Sequence, residues 1–314
     1  MSGPRLRAIL SVLAGAYRLG KRPIRRLADD LLGLSLSTGM ICRLERQGAA
    51  ELAAPVEELR QHVRNAASAH SDETSWKQGR DKAWLWVAVT KLVTVFTIAT
   101  SRGAEVAKGL LGTAARKVVI CDRLKSYGWI RRRQFCWAHL RRDFQAMIDR
   151  GSESAAVGRR LLEHSDRLFD GWHRVRDGTM ARATLRSHVA IMRFAFRDDL
   201  RRGVACGCAK TAATCRELLA GETHLWTFVR VEGVEPTNND AERALRHGVI
   251  YRKLSGGTDG ESGSRFVERM LTVVATCRQQ DINVLDYLTR CYQAHLDGQP
   301  APSLLPSASA TQAA

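Results

Sequence analysis

Long apolar runs are missing from this 314-residue sequence. No stretch approaches the roughly 18 apolar residues that a transmembrane helix needs, which excludes a protein built on such helices. The segment 8–16, which follows Arg5 and Arg7, faintly resembles a signal peptide. Its apolar run is short and leads directly into the basic segment 17–22, so it predicts an amphipathic helix instead. We therefore expect a cytoplasmic protein with no membrane partner.

Proline is absent between Pro55 and Pro236, so the middle of the chain can hold long uninterrupted helices and strands. Paired Cys-x-x-Cys spacing is absent as well. Without a convincing signal peptide, the eight cysteines predict reduced, mostly buried thiols. Two groups leave a zinc site open as an alternative, Cys206 with Cys208 and Cys215, and Cys136 with His139.

Acidic residues are scarce relative to basic ones. The chain has 32 Asp and Glu against 49 Lys and Arg, which gives a net charge of +17 and a pI of about 10.1. A balance this basic predicts a polyanionic partner, with nucleic acid first and an acidic membrane surface second. The charge alone does not separate a passive DNA binder from an enzyme that cuts DNA.

The first 67 residues predict helices only. Residues 23–32 have helical apolar spacing, a turn follows at Gly33, and a second helix begins after the capping hydroxyl of Ser37. Two helices joined by a short glycine-containing turn are typical of a helix-turn-helix DNA reader. A plain helical hairpin that serves only packing is the alternative.

The patterning then changes to that of strands. Residues 84–90 and 93–100 predict an antiparallel pair, residues 103–112 a helix, and residues 117–121 a short buried strand. From Ala138 to about Arg230 the pattern is helical again, which predicts a helical insertion. The sequence therefore predicts a mixed α/β fold.

Three acidic residues have settings that suit catalysis. Asp72 precedes the strand pair, Asp122 ends the strand at 117–121, and Glu242 stands in the first turn of a helix after the insertion. Converging carboxylates are the ligands that Mg²⁺ prefers, and two such ions can assist both oxygens of a phosphoryl displacement. Each residue also has an ordinary alternative: a turn for Asp72, a strand-end cap for Asp122, and a capping box with Asn239 for Glu242.

Basic residues surround these acids. Residues 116–142 contain nine Lys or Arg and one acid, a local balance of +8, and a second basic run follows Glu242. Such clusters suit a phosphate backbone, although a solvated surface is the alternative. The DNA-binding candidates are Arg123, Lys125, Arg131, Arg132, Arg133, Arg141, Arg142, Arg243, Arg246, Arg252 and Lys253. The glycine-rich segment 256–260 lacks the Gly-Lys-Ser/Thr ending of a phosphate loop, so it predicts a mobile loop that contacts DNA.

Several motifs occur in register along the chain. They are Asp72-Glu73-Thr74, Trp84-Leu85-Trp86, Asp122 with Tyr127, Cys136-Trp137-Ala138-His139-Leu140-Arg141-Arg142, Asn238-Asn239-x-Ala241-Glu242-Arg243-Ala244, Arg252-Lys253 and Phe266-Val267-Glu268-Arg269-Met270-Leu271. Together they closely resemble the transposases of the insertion-sequence-66 family, over roughly residues 10 to 295.

The resemblance implies a ribonuclease-H-like catalytic core with an Asp-Asp-Glu triad at Asp72, Asp122 and Glu242. It implies Mg²⁺ or Mn²⁺ as cofactor, with two ions, and a reaction in which DNA is cut at transposon ends and the new 3′-hydroxyl attacks target DNA. The partners implied are DNA, further copies of the chain in a synaptic complex, and accessory proteins of the same element. The localisation implied is cytoplasmic and nucleoid-associated.

With this core the predicted fold class is α/β, a mixed sheet with a helical insertion and an all-helical N-terminal segment. The expected boundaries are 1–67 for the helix-turn-helix-like segment, 68–137 for the first part of the core, 138–230 for the helical insertion, 231–297 for the last part of the core with the C-terminal helices, and 298–314 for a disordered tail.

Three departures from the family pattern stand out. The chain lacks the Cys/His zinc-binding region found upstream in longer members, and His247-Gly248 stands where relatives often have proline. Residues 66–71, just before Asp72, make a poor strand. Two alternative functions therefore stay open: an inactive relative that binds DNA as a repressor, and a ribonuclease-H-like nuclease that cleaves without strand joining.

Overall fold

The structure is a computed structural model that describes residues 3–306. The chain divides into two compact units. The first unit comprises Met1–Ala114, Lys125–Trp129 and Asn239–Ala314, and the second comprises Ala115–Leu124 and Ile130–Asn238.

The first unit contains a strand hairpin and a third strand, surrounded by helices. Its helices are α1 (Pro4–Gly15), α2 (Lys21–Leu32), α3 (Thr38–Glu51), α4 (Ala53–Asn65), α5 (Ala104–Leu111), α11 (Asn239–Ser255), α12 (Glu261–Gln279) and α13 (Val284–Leu296). Its strands are β1 (Ser68–Gln78), β2 (Asp81–Val89) and β3 (Thr94–Ala99). The four helices before β1 confirm the prediction of an all-helical N-terminal segment.

The three strands pair antiparallel in the order β3-β2-β1. The register of β1 on β2 runs from His70 opposite Val89 to Gln78 opposite Asp81. The register of β2 on β3 runs from Trp84 opposite Ala99 to Val89 opposite Thr94. The predicted strand pair is therefore confirmed.

The extent of β1 corrects one expectation. Residues 66–71 have weak strand propensity, yet β1 begins at Ser68 and continues through Asp72. Ladder pairing to the strongly β-forming β2 overrides the local preference, because strand propensity largely measures how a residue fits its neighbours. Asp72 thus occupies a regular strand position opposite Val87.

Helix α12 covers the outer edge of β3. The backbone N–H groups of Thr94, Phe96 and Ile98 donate to Thr276 Oγ1 (3.2 Å), Thr272 Oγ1 (2.9 Å) and Glu268 Oε2 (2.8 Å). The acceptors are spaced four residues apart on one helix face, and the donors alternate along the strand. Side chains therefore satisfy the edge N–H groups that a neighbouring strand would otherwise bind.

The glycine-rich loop after α11 is hydrogen-bonded to the end of β1. Thr258 N donates to Lys77 O at 2.9 Å and Gly79 N donates to Thr258 O at 2.6 Å. A Cβ at Gly257 would collide with the Lys77 carbonyl, and φ of Gly257 is +114°. These glycines therefore allow close backbone approach, and the expectation of a mobile loop is not supported at this position.

Part of the segment expected to be a disordered tail forms hydrogen bonds and buries an apolar side chain. Tyr287 donates from its hydroxyl to Pro302 O at 2.9 Å, Ser303 Oγ donates to Glu58 at 2.8 Å, and Leu304 is buried. The expectation is wrong for these residues, because Leu304 is buried and the two hydrogen bonds hold the residues just before it. Residues 307–314 lie outside the described part of the chain.

The second unit contains two strands and most of the long helices. Its elements are β4 (Val118–Cys121), β5 (Arg132–Phe135), α6 (Trp137–Asp149), α7 (Ser152–Arg176), α8 (Arg182–Ala205), α9 (Ala209–Ala220) and α10 (Thr227–Arg230). The strands pair parallel, from Val118 opposite Arg132 to Cys121 opposite Phe135. The core is aromatic: Trp137 lies 5.3 Å from Trp226 and 5.7 Å from Phe196 between ring centroids.

Antiparallel strands, parallel strands and many helices make this a mixed α/β protein, as predicted, and consistent with a ribonuclease-H-like core. The helices from α6 to α10 correspond to the predicted helical insertion. Strand β5 was not predicted, because the sequence Arg132-Arg133-Gln134-Phe135 carries no apolar strand pattern. Among residues 3–306, no helix has both the length and the apolar character to cross a membrane.

Candidate active site

Asp72 lies on the face of β1 that meets α11. Side chains alternate along a strand, so His70, Asp72, Thr74 and Trp76 share one face. The three neighbours of Asp72 on this face all contact α11. His70 Nε2 lies 3.6 Å from Asp240 Oδ2, Thr74 Oγ1 accepts from Arg252 at 3.3 Å, and the rings of Trp76 and Tyr251 are 6.0 Å apart.

Glu73 lies on the opposite face of β1 and is fully engaged there. Its Oε1 accepts from Arg102 Nη2 at 2.7 Å and from Nε at 3.1 Å, and its Oε2 accepts from the Tyr127 hydroxyl at 2.9 Å. Ser71 Oγ is 3.3 Å from the same hydroxyl. The two adjacent acids thus differ: Glu73 anchors a buried network, whereas Asp72 is half-buried and accepts from the Glu73 N–H at 2.9 Å.

Glu242 is placed by the close packing of α11 on the strands. It occupies the first turn of the helix, half-buried, one residue after the buried Ala241. A Cβ at Gly248 would collide with the side chain of Leu85 on β2, so the helix approaches the sheet closely there. Gly248 therefore has a structural role in seating the helix that carries Glu242.

Asp122 belongs to the second unit. It follows directly on the buried strand β4, is half-buried, and its Oδ1 accepts from Leu124 N at 2.8 Å. Within the first unit, the strand carrying Asp72 and the helix carrying Glu242 are packed together. The chain continues from Asp122 into Lys125–Trp129, a segment of the first unit that Tyr127 joins to Glu73.

The Cys136-Trp137-Ala138-His139 motif has a structural role. Trp137 is fully buried and donates from Nε1 to Leu225 O at 2.8 Å. Cys136 is also buried, and its Sγ accepts from the backbone N–H of Asn238 at 3.2 Å. The motif therefore fixes the start of α6 and holds the chain that leads to α11. Cys215 is buried too, which raises the pKa of its thiol to about 12.

The basic DNA-binding candidates fall into two groups. Several are engaged with other protein groups. Arg123 pairs with Asp143 at 2.7 Å, Arg141 with Asp166 at 2.5 Å, and Arg252 bonds to Thr74 and Ser75. Arg243 pairs with Asp240, and Arg132 donates to Arg116 O at 3.0 Å. The exposed members include Lys125, Arg131, Arg246 and Lys253, and Arg142, which is also exposed, donates to Ala138 O at 3.4 Å.

Positive charge is concentrated enough to affect neighbouring histidines. Burial, followed by the charges of Arg18, Arg278 and Arg246, lowers the pKa of His247 on α11. In the second unit, burial and the charge of Arg133 lower the pKa of His224 to about 4. Burial also lowers the pKa of Arg133, whose guanidinium lies 5.1 Å from the Phe135 ring centroid, so this candidate is packed inward.

Two features of the site gave no usable signal in the sequence. Arg102 has no motif around it, and its role as the partner of Glu73 depends on the fold. Glu73 adjoins Asp72, and only the alternation of β1 separates their roles. Tyr127 was part of the recognised motif, although its contact with Glu73 was not predicted.

One related protein is the uncharacterized protein y4qI of Sinorhizobium fredii (strain NBRC 101917 / NGR234), 29% identical over 172 residues. This alignment covers 54% of the chain and 32% of that protein, so the chain matches about a third of its relative's length. Residues 1–265, which include Asp72, Asp122 and Glu242, match the transposase IS66 family. The resemblance found in the motifs is thus confirmed, and the chain belongs to the transposase IS66 family.

Proposed function

We propose that this protein is a transposase that cuts DNA at transposon ends and transfers the resulting 3′-hydroxyl strand into target DNA. The observation that carries the proposal is the family match over residues 1–265, a range that contains all three candidate carboxylates. The position of Asp72 on the β1 face that meets α11, the helix of Glu242, supports it.

Asp72, Asp122 and Glu242 are the proposed metal ligands. Carboxylate oxygens suit Mg²⁺ and Mn²⁺, which keep further sites for water and phosphate oxygens. Glu73 does not fit this role, because Arg102 and Tyr127 engage both of its oxygens. When bound, two divalent ions would supply activation of the attacking oxygen and stabilisation of the leaving oxygen.

The chain's own residues position these carboxylates. Glu73, Arg102 and Tyr127 hold the segment that follows Asp122 against β1, and Gly248 lets α11 lie close to β2. In the first step, a water oxygen bonds to phosphorus and the P–O3′ bond breaks, which leaves a 3′-hydroxyl and a 5′-phosphate. In the second step, that hydroxyl bonds to a target phosphorus and displaces a target 3′-oxygen. The number of phosphodiester bonds is unchanged in the second step, so it needs no energy source.

The DNA contacts are proposed for the exposed basic residues and for the helix-turn-helix-like segment. Arg131, Arg246 and Lys253 are exposed and form no ion pair with any residue of the described range 3–306, so they can reach phosphates. Helices α2 and α3 follow one another with Gly33 between them, and Ser37 caps α3 by accepting from Met40 N at 3.0 Å, which supports a DNA-reading role for this segment. Assembly of several copies around two DNA ends, accessory proteins of the element and association with the nucleoid are parts of the same proposal.

The test is a cleavage and joining assay with purified protein, transposon-end DNA, target DNA and Mg²⁺. Wild type should yield both cleaved and joined products, and chelation of the metal should abolish both. Asp122→Asn and Glu242→Gln should lose both products while still binding DNA. Binding without cleavage by wild type would favour the repressor, and cleavage that never yields joined product would favour the nuclease.

A further inference from the structure

A cavity of about 450 Å³ lies within the first unit, beside the helix that carries Glu242. Its walls come from α11, α12, the β2–β3 hairpin and the end of α1. Its apolar lining residues, here called the floor, include Val89, Phe96, Leu271, Val274 and Ala275. This volume is in the range of small-molecule sites and is far too small to admit a DNA duplex.

The charged residues that line this cavity, here called the rim, are mostly cationic. Arg18, Lys91, Arg243 and Arg278 line it, against a single acid, Asp240. Asp240 already forms an ion pair with Arg243, and its Oδ2 lies 3.6 Å from His70 Nε2. Within residues 3–306, the side chains of Arg18, Lys91 and Arg278 form no ion pair. Three cations that face a cavity without internal counter-charges are suited to bind an external anion.

The combination of floor and rim identifies the ligand class. An inorganic anion would use the rim and leave the apolar floor exposed to water. A nucleotide would use both, because its base presents a flat apolar surface and its phosphate carries the charge. The backbone of α11 places Asp240, Arg243, Ala244 and His247 toward the cavity, on either side of Glu242 in the sequence.

We propose that this cavity binds one unpaired nucleotide of a DNA strand, with the base on the apolar floor and its phosphate on Arg18, Lys91 and Arg278. The proposal rests on the proposed DNA-processing function and deepens it, since it assigns the protein a preference for locally unpaired DNA. Taking a base out of the duplex costs energy, and a fitted pocket offsets that cost.

The test compares two DNA probes in the absence of divalent metal, so that no cleavage occurs. One probe is a blunt duplex, and the other is the same duplex with a short unpaired tail. Wild type should bind the tailed probe about fivefold or more tightly, the scale expected for one stacked base. Deoxyadenosine monophosphate should compete for the tail, and inorganic phosphate at the same concentration should not.

Three variants report on the cavity, with thermal unfolding as a check on folding. Ala275→Trp fills it, and Arg278→Ala removes a rim charge. Arg18→Gly removes another rim charge without backbone strain, because φ of Arg18 is +62°. Each should reduce the preference for the tailed probe to near unity. Ala183→Trp and Arg186→Ala, exposed positions on α8, are the matched controls and should retain it.

The outcomes separate this inference from the proposed function. Equal binding of the two probes by wild type overturns the inference and leaves the proposed function standing. So does a preference for the tail that survives in all three cavity variants. Competition by inorganic phosphate as strong as by the nucleotide overturns the assignment of a base to the floor. Failure to bind either DNA overturns both proposals.

Discussion

The Tyr127 hydroxyl donates a 2.9 Å hydrogen bond to Oε2 of Glu73, a buried contact between residues 54 positions apart in the chain. Arg102 completes this hydrogen-bond network by donating twice to Oε1 of the same carboxylate. This network gives two adjacent acids on one strand different surroundings. It also attaches the segment after Asp122 to the strand that carries Asp72.

Removal of the Tyr127 hydroxyl should destabilise the protein. In Tyr127→Phe the buried Oε2 of Glu73 loses its charged-group hydrogen bond, which costs about 1–3 kcal/mol. Urea denaturation followed by circular dichroism measures this loss. Tyr17→Phe, at a residue that is 61% exposed, is the matched control and should change the free energy of unfolding by less than about 0.5 kcal/mol. An equal effect of the two substitutions would contradict the network's role.

Asp72→Asn should reduce cleavage, whereas Glu73→Gln should reduce stability. Asp72→Asn removes a proposed metal ligand, so cleavage should fall by several orders of magnitude with little change in unfolding free energy. Glu73→Gln loses the ion pair with Arg102, so stability should fall by about 1–3 kcal/mol. Parallel measurements of cleavage and of urea midpoints distinguish the two. Full cleavage by Asp72→Asn would exclude it from the triad.

The buried carboxyl of Glu268 should make stability depend on pH. Burial raises its pKa, and Arg265, whose guanidinium lies 3.1 Å away, only partly opposes this. The folded state therefore holds the Glu268 proton more tightly than the unfolded state does. This contribution to stability is fully present below the ordinary carboxyl pKa of 4.5 and is lost as the pH rises through the raised value.

Glu268→Gln removes this titration. The stability of Glu268→Gln relative to wild type should therefore increase as the pH is raised from 4.5 toward neutrality. Urea denaturation across this range gives the difference, and Glu261→Gln, at an exposed position on the same helix, is the control. A difference that is constant with pH would show that Glu268 has the same pKa in both states.

Gly248→Ala should destabilise the protein although alanine favours helices. The helix propensity of alanine contributes about 1 kcal/mol in its favour, but the added Cβ collides with Leu85, and overpacking costs about 1–3 kcal/mol. The penalty should shrink in a Leu85→Ala background, which a double-mutant cycle measures. Gly109→Ala, where a Cβ meets open space, should not be destabilising. Additive effects of the Gly248 and Leu85 substitutions would contradict the close packing.

The sequence by itself determined the class of the fold, the strand pair β2–β3, the helical insertion and the family. These follow from local patterns: β-branched alternation, helical apolar spacing and motifs in a fixed order. It also identified Asp72, Asp122 and Glu242 as candidates, because an acid just before a strand pair, at a strand end or in the first helix turn is visible in the residue order.

Only the tertiary structure decided which contacts individual side chains make. Strand β1 forms because β2 pairs with it, despite the weak propensity of residues 66–71. Glu73 and Asp72 lie on opposite faces of that strand. Arg252, which belongs to the basic run after Glu242, donates to Thr74 and Ser75. Such contacts join residues far apart in sequence, so they depend on chain packing that no local pattern encodes.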